Sequence, residues 1–292
     1  MTAPAVQARP TSLPAPVSAV ASLALRHLFV SEAATASVLG ASSHAVWLLT
    51  GRDVVVVSTR DATRLPNGVE IAAMSEAGLL DSVGHGASVV VGRNSLEFDS
   101  LVVDLVRWWD PRPTLPRMLS DDLAVAIGGL PDSVPGVDSS ALGFALAATS
   151  PEDLIDASVM LLGRGPGLTP EGDDVLSGAL AAIRTLGTAL GSRPALGMLD
   201  EAEGALIDAA GKRTTAFSAT LIHCAVRGEV AAPAGGFLRA LAGRGDVDSN
   251  HRDLLRVGHT SGPALAAGIV LGAKSLIEPT PHPTEVSNDC SG

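Results

Sequence analysis

Along this chain the spacing of hydrophobic and polar positions changes near residue 120. From Leu23 to Trp109 the apolar residues come in short β-prone runs, "AVWLLT", "VVVVST", "VEIAA", "ASVVVG", "RNSLEF" and "LVVDLV", separated by turn signals such as "GRD" and "LPNG". The stretch "LTGRDVVVVS" predicts a hairpin with its turn centred on Gly51. Several short strands at close spacing predict a small barrel or sandwich, and "WWDPRP" closes the region because Pro111, Pro113 and Pro116 cannot continue a ladder. After about Ser120 the period moves toward 3.6. Segments such as "PEDLIDASVMLLG", "DEAEGALIDAAGKRTTAFSATLIHCAVRG" and "SGPALAAGIVLGAKSLI" carry apolar residues at i, i+3, i+4 and i+7, which predicts helices. No fixed-period repeat runs through them, which argues against a solenoid.

The expected fold class is α+β, with a β-rich, barrel-like N-terminal domain over residues 18–117 followed by an all-helical C-terminal domain over residues 118–277. Residues 1–17 and 278–292 are rich in proline and small or polar residues without periodicity, and are expected to be disordered tails.

Composition narrows the picture. Hydrophobic residues make up 46% of the chain, aromatics only 3%, and tyrosine is missing, so the core must be assembled from Ala, Val, Leu and Ile with close small-residue contacts. A formal charge of −11 leaves no basic stripe for a phosphate backbone, which argues against nucleic acid as a partner. An anionic substrate would need a locally positive pocket. Cys224 and Cys290 form neither a disulfide framework nor a metal-ligand spacing, so a reduced, cytoplasmic setting is expected. "VSAVASLAL" has some signal-peptide character, but Pro10, Pro14 and Pro16 interrupt its surroundings. "ALAAGIVLGAKSLI" falls short of the ~20 residues that span a bilayer, so no membrane partner is expected.

The chemistry concentrates in "GRGPGLTPEGDDVLSGALAAIRTLG", which begins at Gly163. Behind it a helix is expected to bury Val175, Leu176, Ala179, Leu180, Ile183 and Leu186 and to stop at Gly187. Thr169 fits as N-cap with Pro170 at the first helical position. Gly163, Gly165 and Gly167 let the backbone bend tightly and expose its N–H groups, and a glycine-rich loop running into a helix start is a ready anion site. Asp173 and Asp174 lie in the first turns of the same helix, where their charges would oppose a bound phosphate. Three readings follow: the carboxylates accept hydrogen bonds from an amide-like substrate, hold a cation such as Mg²⁺ beside a phosphate, or only stabilise the helix start.

A second stretch, "LLRVGHTSGPALAAGIVLG", repeats the design, with Ser261 as expected N-cap and Pro263 in the first turn. His259 then sits just outside a helix start, whose dipole favours the neutral ring and fits it for proton transfer. A loop histidine is also commonly structural. Gly268 and Gly272 are four apart, as Gly178 stands four after Asp174, which predicts that the two helices pack closely and bring Asp173, Asp174, Thr169, His259, Thr260 and Ser261 to one end, or else that the glycines serve packing alone. Between the motifs, Thr214 and Ser218 are expected at i, i+4 on one helix face, either lining a site or bonding their own carbonyls, with Lys212 and Arg213 as local positive charge for an anion or as a solvated pair.

The pattern "GxGPGLTPxGDDxLxG" at Gly163–Gly178 and "GHTSG" at Gly258–Gly262 resembles the signature of the AllH-type domain family, long a domain of unknown function. The resemblance extends over roughly residues 20–277, including the "WWDPRP" end of the β-rich half. It implies carbamoyl transfer between carbamoyl phosphate and a small amide or acid such as oxamate, as in anaerobic allantoin breakdown, in a complex with other subunits. With it come an anionic or amide small-molecule substrate, no cofactor, and the alternative of a non-catalytic ligand-binding or scaffold subunit. On that reading Gly163, Gly165, Gly167 and Lys212 or Arg213 hold phosphate, His259 assists proton transfer, and Asp173 and Asp174 orient the acceptor. Neither Ser261 nor Ser218 lies in a nucleophile elbow, and nothing like the "STRT" loop of the aspartate and ornithine carbamoyltransferases is present.

Overall fold

The structure, a computed structural model, describes residues 15–277. The expected tail at 278–292 and the first fourteen residues of the N-terminal one lie outside them, while Val17, expected in that tail, begins the first strand. The chain divides into two compact units after Pro111.

In the first unit eight strands close into a barrel: β1 (Val17–Ser22), β2 (Ala34–Ala41), β3 (Ala45–Thr50), β4 (Asp53–Ser58), β5 (Gly68–Ile71), β6 (Ser88–Gly92), β7 (Ser95–Glu97) and β8 (Val102–Trp109). Their order around the barrel is β1-β5-β4-β3-β2-β6-β7-β8, with β4–β5 and β8–β1 parallel and the other pairs antiparallel. The expected hairpin is β3–β4, where Thr50 pairs with Asp53 and Gly51 turns at φ +62°. Alternation then decides the core: Val55 and Val57 join the barrel interior with Val46 and Leu48. Two strands have no distinct apolar run. β1 reads "VSAVAS" and β2 "ATASVLGA", and both exist because closing the barrel pairs every edge, β1 with β5 and β8, β2 with β3 and β6. After a 3₁₀ turn, α1 (Arg26–Phe29) buries Phe29 in this core, edge-on to Trp108 with centroids 6.1 Å apart.

The second unit is helical: α2 (Ser120–Ile127), α3 (Ser140–Ala148), α4 (Pro151–Leu161), α5 (Glu171–Leu190), α6 (Arg193–Arg213), α7 (Ala216–Val226), α8 (Ala232–Leu241), α9 (Val247–Leu255) and α10 (Ser261–Ser275). None of the described helices is long and apolar enough to cross a membrane. The hub is α5, buried on all sides from Gly172 to Ile183. A Cβ on Gly178 would strike the Leu265 carbonyl oxygen of α10, one on Gly268 the Val175 carbonyl oxygen, and one on Gly272 would lie 2.7 Å from Ala179 O. The two helices therefore approach backbone to backbone, the small-residue contact that an aromatic-poor core demands.

Two expected helix limits move. α5 continues past Gly187 to Leu190, because Gly191, at φ +73°, provides the left-handed cap whose N–H reaches back to the last turn. The stretch expected as one helix around "GKRTTAFS" is two. Thr214 adopts extended φ/ψ after α6, and Thr215 caps α7 by accepting the Ser218 N–H at 3.0 Å. Apolar periodicity runs through the break unchanged, so it cannot reveal the interruption.

Candidate functional site

The loop from Leu162 to Pro170 is held against its surroundings by Asp173. A Cβ on Gly163, which has φ +75°, would lie 2.5 Å from the Arg213 carbonyl oxygen, so no other residue fits there. The Asp173 carboxylate is fully buried. It accepts the Gly163 N–H at 2.8 Å through Oδ1, and both the Thr214 hydroxyl and the Ser218 hydroxyl, the latter at 2.7 Å, through Oδ2. One side chain thus ties the glycine loop to the end of α6 and the start of α7. Thr214 and Ser218 do converge, but from two elements and onto Asp173, rather than along one helix face.

The two expected caps are corrected in an informative way. Pro170, not Thr169, is the N-cap of α5, and Thr260, not Ser261, is the N-cap of α10, neither with a side-chain cap bond. The hydroxyls of Thr169 and Ser261 are instead 2.9 Å apart, hydrogen-bonded to each other across the two helix starts. Each is withdrawn from its own helix. Among the described residues no hydrogen bond is donated by the N–H groups of Gly165, Gly167 and Leu168, or of Gly258 and His259. Two helix starts, each worth about half a positive charge, meet here; their first-turn N–H groups at Gly172 and Gly262 are committed to the Arg164 and Val257 carbonyls, and the uncommitted donors lie in the loops leading into them.

Asp174 lies beneath this junction. It is 7% exposed, and its Oδ2 has no hydrogen-bond partner. Burial pushes its pKa up to about 8; the Ser261 hydroxyl bond pulls against this, and the neighbouring charges of Asp173 and Glu171 add to it. At neutral pH it is mainly a carboxylic acid. The electrostatic objection to an anion at this loop therefore weakens: one acidic group is neutral and the other is surrounded by donors.

The remaining expected residues are placed as follows. His259 is exposed in the turn between α9 and α10, two residues before Ser261, and makes no hydrogen bond or ion pair among the described residues. Thr260 stands between them as the cap. Lys212 is exposed and paired with Asp208 at 2.6 Å, one turn away on the same helix, while Arg213 is exposed with its carbonyl against Gly163. The structure brings Thr169, Asp174 and Ser261 together, and beside them Gly163, Asp173, Thr214 and Ser218. It does not bring the Lys212 ammonium into either group. Thr215 went unnoticed: its hydroxyl donates to the Leu168 carbonyl at 2.6 Å while capping α7, and the signal available was the T-x-x-S spacing of an N-cap. Among the described residues no group of three or more His, Cys, Asp or Glu is placed to hold a metal ion.

A closed barrel followed by a helical unit, with two glycine-containing helix starts joined over a buried acid, defines the class of α+β protein at hand. Within it, residues 161–273 match the family described as oxamate carbamoyltransferase subunit AllH. The match contains both motifs and every residue of the junction; it lies within the helical unit. No solved structure matches the chain.

Proposed function

We propose that this chain serves carbamoyl transfer between carbamoyl phosphate and a small amide acid such as oxamate, as a subunit working with others, and that the junction of α5 and α10 is where the small molecule binds. In the transfer, the acceptor's amide nitrogen attacks the carbamoyl carbon, a C–N bond forms, the C–O bond to phosphate breaks, and one N–H proton leaves. An anionic carboxylate or phosphate is held by the uncommitted N–H groups of Gly165, Gly167, Leu168, Gly258 and His259 in the loops that lead into the two helix starts. Asp174, in its ionised form, takes the proton, with the neighbouring Ser261 hydroxyl as relay; a pKa of about 8 puts acid and base forms within reach of each other near neutral pH. Asp173 acts through the Gly163 loop that it holds, with Thr214 and Ser218 fixing it in turn, and the His259 ring, at the mouth of the junction, exchanges protons with the departing group.

One observation carries the reading: a buried carboxyl with an unpaired oxygen directly under two helix starts whose hydroxyls face each other. Folding alone gains nothing from an unpaired buried acid. The test is to measure carbamoyl phosphate turnover with oxamate, and oxamate binding by calorimetry, for the chain alone and with its companion subunits. Asp174→Asn is expected to abolish turnover while the protein stays folded. Full turnover by Asp174→Asn would remove Asp174 from the chemistry; oxamate binding with no turnover in any combination would make this a ligand-binding subunit.

A further inference from the structure

A concavity of about 520 Å³ lies at the end of α5 opposite the junction. Its lining contains four arginines, Arg112, Arg117, Arg184 and Arg227, and no acidic side chain. Three segments distant in sequence make its walls. The segment carrying Arg112 and Arg117 is tied to the end of α5 by the Met118 N–H bond to Ala189 O, 3.2 Å. Arg184 comes from α5 itself, and Arg227 is the C-cap of α7. The turn at Gly228 lies so close to α5 that an added Cβ would be 3.0 Å from the Thr185 methyl and 3.1 Å from Arg184 Cγ.

We propose that this four-arginine cleft is a binding site for a small oxyanion carrying two or more negative charges, separate from the junction of α5 and α10. Concentrating guanidinium groups in one cleft of a chain whose net charge is −11 runs against the overall field, so the fold must hold them there. In Arg184, Arg227 and Arg117, local structural duties use only part of the donor capacity. Arg184 donates Nε–H to the Val226 carbonyl at 2.7 Å and an Nη2 proton to Asp200 at 2.7 Å, which leaves three of the five N–H donors of a guanidinium. Arg227 stands 3.6 Å from Glu203 and keeps half of its side chain exposed. Arg117 has neither a hydrogen bond nor an ion pair among the described residues. Asp200 and Glu203 offset charge on Arg184 and Arg227, and the C-terminal dipole of α5 about half of one charge more, which leaves the Arg117 charge uncompensated in the cleft. Planar forks converging on a cleft of this size suit phosphoryl or carboxylate oxygens, which they bind two at a time. Neither Lys212 nor Arg213 offers such convergence.

The site is distinct by distance. Asp174 and Thr185 are eleven residues apart on α5, which at ~1.5 Å per residue puts the cleft roughly 17 Å or more from the junction. Occupancy of one is therefore separable from occupancy of the other.

The experiment is calorimetric titration of the full chain with inorganic pyrophosphate in one arm and oxalate in the other, at low ionic strength. The double variant Arg117→Ala/Arg227→Ala, whose side chains are exposed, is expected to weaken the tighter of the two at least about tenfold, and Arg117→Lys to recover only part of that loss because it restores charge without the fork. Asp174→Asn is expected to leave this binding unchanged. Preference for pyrophosphate assigns the cleft to phosphoryl ligands, preference for oxalate to dicarboxylates, and both support the proposal. No binding of either anion up to about 1 mM, or binding that survives the double variant, overturns it. Binding lost in Asp174→Asn and kept in the double variant also overturns it, since the anion would then sit at the helix junction. Failure of oxamate to bind or react would sink the carbamoyl-transfer reading and leave this result untouched.

Discussion

Replacing Asp174 with asparagine changes little in size and removes the ability to ionise, so it isolates the cost of burying this acid. The folded pKa of about 8 stands against an ordinary value of 3.8. Between those two values the unfolded chain has released a proton that the folded chain retains, so the unfolded state binds fewer protons and stability must fall as pH rises through the window. At one pKa unit per 1.36 kcal/mol, the group costs the fold about 4 kcal/mol at pH 7. Asparagine carries none of this penalty, but it buries an amide with one N–H short of a partner, at about 1–3 kcal/mol. The net expectation at pH 7 is a variant more stable than the parent by about 1–3 kcal/mol, with the gain rising to about pH 8 and shrinking to zero or reversing near about pH 5. Urea unfolding of parent and variant at about pH 5, 7 and 8.5 measures it directly. A variant less stable at pH 7, or a difference that stays flat across the three pH values, would refute the claim that Asp174 is a buried neutral acid. A stabilising substitution that also abolishes turnover is what a functional group held at the expense of stability should show.

Two further expectations test the scaffold around the junction. Gly268→Ala drives a methyl into the Val175 backbone, with Val175 C only 2.8 Å from the new atom, and should cost about 3 kcal/mol or more in thermal or urea unfolding, whereas Gly204→Ala on the exposed face of α6, with nothing within 4 Å, should stabilise by about 0.5–1 kcal/mol. Asp173→Ala strips an acceptor from the Gly163 N–H and the Thr214 and Ser218 hydroxyls, and a loss of about 3–5 kcal/mol by urea unfolding is expected, with less than about 1 kcal/mol showing that the carboxylate is not what holds the loop.

Much of this protein was legible along its chain because the relevant signals are local. The change of period near residue 120 separates strands from helices, the Gly51 hairpin follows from a two-residue turn between apolar runs, and Gly268 and Gly272, four apart on one helix, with Gly178 four after Asp174 on the other, announce a close helix contact. Tertiary structure decided the rest. β1 and β2 carry little hydrophobic signal of their own and become strands through partners far away in sequence. Thr169 and Ser261 have ideal cap chemistry for their own helices, yet bond each other across 92 residues, because two helix starts brought together by glycine packing offer each hydroxyl a nearer partner than its own backbone. Asp173 and Asp174, identical neighbours in the chain, diverge for the same reason: successive helical positions point about 100° apart, so one meets three donors and the other is buried with an oxygen unpaired. The four arginines of the far cleft form no motif, since a cleft walled by segments at residues 112–117, 184–189 and 227–228 exists only once α5 and α7 have packed.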